Sequence, residues 1–103
     1  MSNKKSFTEI IKNSDLPVLV DFYADWCGPC KVLSPIVQEV ASTFHGLVKV
    51  IKVNVDKNQH AAAHYDIRGV PTLILFSQGK MLWRQSGVMS RRDLEAILRK
   101  HLN

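Results

Sequence analysis

The chain has 103 residues, 46% of them apolar, and a formal net charge of +5. That length suits one domain, read here as residues 1–103, with a core that needs no disulfide staples. The lack of a long apolar run excludes a transmembrane helix, and the scattered Lys and Arg residues, without interleaved aromatics, argue against a nucleic-acid face. Along the chain, Ser6-Phe7-Thr8-Glu9 is a capping-box pattern that opens a short helix to about residue 13. Leu16 to Ala24 is mostly apolar and β-branched, which predicts a strand over 18–23 buried on both faces. After Cys30, the residues Val32, Leu33, Ile36, Val37, Val40 and Phe44 recur at helical spacing. They predict a long helix to about residue 44, kinked at its interior Pro35. A second strand is expected over 48–55, a short helix over 59–65 with His60 and His64 exposed, and a third strand over 72–76. Gln78-Gly79 turns that strand into a fourth over 80–85, with Trp83 as a packing residue. Ser90 opens a last helix that carries Leu94, Ile97, Leu98 and Leu102 on one face. Two βα units followed by a hairpin predict an α/β fold with a mixed sheet of about four strands and helices on both faces.

The chemistry concentrates in Trp26-Cys27-Gly28-Pro29-Cys30, which holds both cysteines of the chain. Two thiols separated by two residues can close into a small ring disulfide and reopen. This pair lies where the first strand ends and the long helix begins. Helix N-termini present unpaired N–H groups and the positive end of the dipole, so a thiolate at Cys27 is stabilised there. The thiolate is the nucleophile of disulfide exchange. Pro29 suits a first helical turn because it has no N–H to lose, and Gly28 leaves the surface beside the sulfurs open. A lone pair of this kind in a chain without an apolar leader segment reads as redox-active and cytoplasmic rather than structural and secreted.

The chain resembles the thioredoxins. The resemblance is carried by the run from Val20 to Lys31 that includes the cysteine motif, by Pro35, by Val53-Asn54-Val55-Asp56, by Arg68-Gly69-Val70-Pro71-Thr72 and by Gly87. It implies a thioredoxin-like three-layer sandwich and a protein-disulfide reductase with no bound cofactor beyond the Cys27–Cys30 disulfide itself. Cys27 is then the nucleophile and Cys30 the resolving thiol. Asp21 lies beneath them in an otherwise apolar strand. The resemblance makes it the proton acceptor for the second cysteine, and burial raises a carboxyl's pKa toward neutrality. Lys52 matches the lysine that neighbours this carboxylate. Val70-Pro71 is expected to be a cis peptide that leaves the Val70 backbone open to an extended substrate segment. Trp26, Gly28, Pro29, Val70, Gly87 and Val88 are expected to form a flat apolar rim around Cys27, with Gly87 allowing close backbone approach. The partners implied are disulfide-bearing target proteins and a thioredoxin reductase, NADPH- or ferredoxin-linked, acting on a monomer.

Three positions depart from the family pattern. Thioredoxins begin with an extra edge strand, whereas only polar residues 1–5 precede the first helix here. That strand is expected to be absent or vestigial, which leaves strand 48–55 at a sheet edge guarded by Lys49 and Lys52. Tyr23 holds a place often taken by Trp, and Ser86 one that is often apolar. Three other readings of the cysteine pair compete with a reductant. A zinc site would recruit His60 and His64, but their distance from the cysteines in sequence does not match a zinc finger. An oxidising or isomerising relative of the same fold would carry a His where Pro29 stands. A binding module using the same rim is the non-enzymatic alternative.

Overall fold

The computed structural model describes residues 6–102. Its elements run α1 (Phe7–Asn13), β1 (Val18–Tyr23), α2 (Gly28–Thr43), β2 (Lys49–Asn54), α3 (Gln59–His64), β3 (Thr72–Ser77), β4 (Lys80–Ser86) and α4 (Arg91–Leu102). The four strands form one sheet in the order β2-β1-β3-β4. β1 is parallel to β2 and antiparallel to β3, and β3 is antiparallel to β4, so the sheet is mixed as the element order implies. The expected absence of an N-terminal strand falls on residues 1–5 and lies outside the described residues.

Alternation along β1 assigns each side chain to a layer. Val18, Val20 and Phe22 face one side. There they meet Ile74 and Phe76 of β3, Ile11 of α1 and Val53 of β2, with Phe7 and Tyr65 packed at the margin. The aromatic rings meet mostly edge to face, Phe7 at 5.6 Å and Phe76 at 5.1 Å from Tyr65. Leu19 faces the other side with Leu73 and Leu75, under Leu33, Val37 and Val40 of α2 and Leu94 and Leu98 of α4. Asp21 shares the parity of Leu19, so its carboxyl points under α2.

Local signals set the element ends. Ser6 caps α1 by accepting the Glu9 N–H at 3.2 Å, and the Ser90 hydroxyl accepts the Asp93 N–H at 3.1 Å at the start of α4. At the β3–β4 turn Gln78 and Gly79 both take positive φ, 51° and 85°, the conformation a two-residue hairpin turn requires. Two expectations about α2 need correction. The helix begins at Gly28, before Cys30, because Cys27 serves as its cap and Pro29 fits its first turn. Its buried stripe is Cys30, Leu33, Val37 and Val40. Val32 falls off that stripe and is 58% exposed. Pro35 lies inside the helix on its exposed side.

Candidate active site

β1 ends at Tyr23, and the chain turns through residues 24–27, closed by the Cys27 N–H donating to the Ala24 carbonyl at 3.2 Å. Cys27 then stands at the N-cap of α2 with extended backbone, φ −92° and ψ 110°. Its Sγ accepts the Cys30 N–H at 3.1 Å, so a sulfur does what a Ser or Asp oxygen does at an ordinary N-cap. Cys27 and Cys30 are joined as a disulfide, their Cα atoms 5.3 Å apart. Both residues are only 4% exposed, so an attacking group has access to little more than one edge of the pair.

The segment opposite is the cis-Pro loop. The Val70–Pro71 bond is cis, and the Val70 carbonyl oxygen lies 3.7 Å from Cys27 Sγ. The loop is braced from β4 and its end. The Gly87 N–H donates to the Pro71 carbonyl at 2.9 Å. Thr72, fully buried, donates its hydroxyl to the Gly69 carbonyl at 2.8 Å and lies 2.9 Å from the Ser86 hydroxyl, which donates to it in turn. Farther back, Arg84 donates to the carbonyls of Tyr65 and Asp66, fixing the corner where the loop leaves α3. Ser86 thus spends its polarity on the loop's support.

Around Cys27, Trp26 is 71% and Val88 44% exposed. Gly28 and Pro29 are exposed, Val70 and Gly87 half-buried, and Pro71 buried. Val70 packs on the cysteine pair together with Ala24, Tyr23 and Val55. At Gly87 a Cβ meets nothing of the chain within 4 Å, and φ is +92°, so backbone conformation by itself calls for glycine. Beside the rim a shallow cleft of about 110 Å³ is lined by Trp26, Val55, Ile67, Arg68, Gly69 and Val70.

Asp21 is 1% exposed. Among the described residues neither carboxylate oxygen has a hydrogen-bond partner. Burial pushes its pKa up from 3.8 to about 6, and the positive charge of Lys52 acts in the opposite direction. Lys52 is the register partner of Asp21 across β1 and β2, on the same face of the sheet. It forms no ion pair with it among the described residues. Its Nζ donates instead to Ser34 Oγ at 2.8 Å and lies 4.8 Å from the centroid of the Tyr23 ring. Lys52 stays exposed on β2, an edge strand among the described residues, with its amine over the Tyr23 ring of β1. A cleft of about 150 Å³ opens here, with Tyr23, Cys30, Lys31, Ser34 and Lys52 in its walls.

Sequence reasoning assigned no role to Ser34, Asp56 or Thr72. Asp56 accepts the Trp26 Nε1–H at 2.8 Å, and Asn54 Oδ1 shapes that loop by accepting the N–H groups of Asp56 and Lys57. Of the three, only Ser34 carried a local signal, lying one helical turn after Cys30 on the same face of α2. His60 and His64 are exposed. Among the described residues no three His, Cys, Asp or Glu side chains come together as a metal site, so the zinc quartet is not assembled. No described helix is long and apolar enough to cross a membrane.

The sequence model of the family described as Thioredoxin matches residues 1–100. Thioredoxin of Haemophilus influenzae is 40% identical over 100 residues, covering 97% of this chain and 94% of its own length. Thioredoxin 1 of Nostoc sp. is 43% identical over 97 residues, with 94% and 91% covered. Thioredoxin of Pseudomonas aeruginosa is 44% identical over 93 residues, with 90% and 86% covered.

Proposed function

Because the chain belongs to the thioredoxin family, we propose that its protein-disulfide reductase activity runs through Cys27 as nucleophile and Cys30 as resolving thiol. The observation that carries this assignment is the position of Cys27 at the cap of α2, beside the Val70 carbonyl and the exposed rim. The helix N-terminus and the Cys30 N–H favour negative charge on Cys27 sulfur.

The steps balance as follows. Cys27 thiolate attacks one sulfur of a target disulfide. A Cys27–target S–S bond forms, the target's own S–S bond breaks, and the released target sulfur takes the electron pair and a proton. Cys30 gives its thiol proton to the Asp21 carboxylate and attacks Cys27 sulfur. The Cys27–Cys30 bond forms, and the second target sulfur leaves with its electron pair and takes up a proton from solvent. The target has gained two electrons and the chain is oxidised. A thioredoxin reductase, NADPH- or ferredoxin-linked, returns them. A buried carboxyl titrating near neutral pH suits the proton step, because it can accept and release a proton at small cost. Lys52, the register partner of Asp21, tunes that titration through its charge, which acts against burial.

Trp26, Gly28, Pro29, Val70, Pro71, Gly87 and Val88 form the target-binding surface in this reading. An extended target segment hydrogen-bonds to the Val70 backbone, which tolerates many side-chain sequences. We read the chain as one domain over residues 1–103, acting as a monomer in the cytoplasm without nucleic-acid or membrane partners. The test is capture. Reduced Cys30→Ser protein mixed with a disulfide-bearing protein should accumulate as a covalent adduct, and Cys27→Ser protein should not. An adduct that forms through Cys30 in the Cys27→Ser variant reverses the two roles.

A further inference from the structure

Asp21 and Lys52 sit side by side on the same face of a parallel strand pair. A buried carboxylate with no hydrogen-bond partner attracts any cation that can reach it. Yet the Lys52 amine is held elsewhere, by a 2.8 Å hydrogen bond to the Ser34 hydroxyl and by the face of the Tyr23 ring. We propose that Ser34 is a positioning residue whose hydroxyl, one turn along α2 from Cys30, keeps the Lys52 amine out of an ion pair with Asp21.

The surroundings leave few other candidates for control of this carboxyl. Across β3 its register partner is Leu73, an apolar residue. The titratable side chains in the adjoining cleft are Tyr23 and Asp25 from β1 and its following turn, Cys30 and Lys31 from α2, and Lys52 from β2. Of the charged ones, Lys52 is the group whose field acts on Asp21. At the effective dielectric of a protein, a unit charge brought from a few ångströms beyond contact into an ion pair changes a carboxyl's titration by about one pH unit. Without the Ser34 oxygen, the amine loses its neutral acceptor, and its register partner Asp21 offers a carboxylate that has no partner among the described residues. A carboxylate locked in an ion pair is a weaker base for the Cys30 proton. The effect on target release rests on the proton role proposed for Asp21 above, while the placement of the amine does not.

The experiment follows the Asp21 carboxyl directly by carbon NMR across pH, in the disulfide form. Ser34→Ala should fold, since Ala is the better helix former. It should lower the Asp21 midpoint by about one pH unit. Ser34→Thr, which keeps the hydroxyl, should restore it. Lys52→Met should raise the midpoint, and adding Ser34→Ala to Lys52→Met should change nothing more. An Asp21 midpoint that stays put or rises in Ser34→Ala overturns the inference, as does a shift that survives in the Lys52→Met background. The rate of target release from the mixed disulfide is timed separately in the same variants. A midpoint that falls while release keeps its rate upholds the Ser34 placement and removes Asp21 from the proton step.

Discussion

At its N-terminal end α2 caps itself with a sulfur and lies over Asp21, whose carboxylate oxygens find no partner among the described residues. At its C-terminal end the same helix is held by a buried apolar face and by charged contacts beside it. Val37 and Val40 are sealed under Leu94 and Leu98 of α4. On the surface Arg91 reaches Glu39 and donates to Thr43 Oγ1 at 3.0 Å, while Glu95 joins Arg91 and Arg99 one turn on either side. The guanidinium of Arg99 lies over the Phe44 ring. Polar groups at the C-terminal end are satisfied and exposed, and the buried ones there are apolar. The N-terminal end does the reverse, burying a charge without a partner and keeping reactive sulfurs near the surface. The difference separates what holds the helix in place from what the helix is used for, since stability comes from satisfied contacts and reactivity from groups left in want of one.

That contrast can be broken or sharpened by substitution at either end. The largest effect belongs to the sulfurs. Cys27→Ser should reduce catalysed turnover of a disulfide-bearing protein to the uncatalysed rate while leaving the thermal midpoint of the dithiol form nearly unchanged, as measured by turnover assay and calorimetry. A large loss of folding stability there would mean that the reactive end also carries the fold. Leu98→Ala should do the opposite. It opens a cavity in the α2–α4 core and should cost about 2–5 kcal/mol in denaturant unfolding, with the reduction potential of the cysteine pair unmoved at a temperature where the variant is folded. A shifted potential would show that the two ends are not separable.

Asp21→Asn should act on both readouts. For stability, the folded carboxyl titrates near 6 and the unfolded one near 3.8. Below the lower value both states hold the proton and the group costs nothing. Between the two, the unfolded chain releases a proton that the folded chain retains, so stability falls as pH rises, and the loss is complete above about 6. Its size is on the order of 3 kcal/mol, of which an unpaired buried amide gives back about 1–3 kcal/mol. The variant should therefore be the more stable protein at pH 8 and lose that advantage as the pH is lowered toward 4, followed by urea unfolding across pH. Release of a trapped target should slow by about tenfold to a hundredfold at neutral pH, at or below the usual range for a positioned proton acceptor. A wild-type and variant stability difference that is flat with pH would remove the buried-charge argument. The smallest effect is expected at Arg91→Ala. Its ion pair with Glu39 is exposed and that with Glu95 half-exposed, and such surface pairs are weak in water, so the loss of stability should be slight, present at low salt and gone at high salt, with turnover untouched.

The sequence alone was enough for what depends on near neighbours. Strand and helix positions follow from hydrophobic period, so residues 18–23 could be read as a buried strand from the mostly apolar run Leu16 to Ala24. The caps at Ser6 and Ser90, the turn at Gln78-Gly79 and the cysteine pair at a helix start are likewise signals within a few residues. Asp21 stood out because a carboxylate in an apolar strand is costly wherever that strand is buried. What only the tertiary structure decided are contacts between residues far apart in the chain. The Lys52 amine rests on Ser34, 18 residues away. The Trp26 ring is tied to Asp56 across 30 residues, and Thr72 is tied to Ser86 across 14. Val32 is exposed despite its helical spacing because the stripe that α2 buries is set by where the sheet and α4 lie. A side chain's chemistry is fixed by its residue type, but its partner is fixed by which elements pack against it. Lys52 shows the distinction. Its charge and its place beside Asp21 were legible in the sequence, and the hydroxyl that holds it was not.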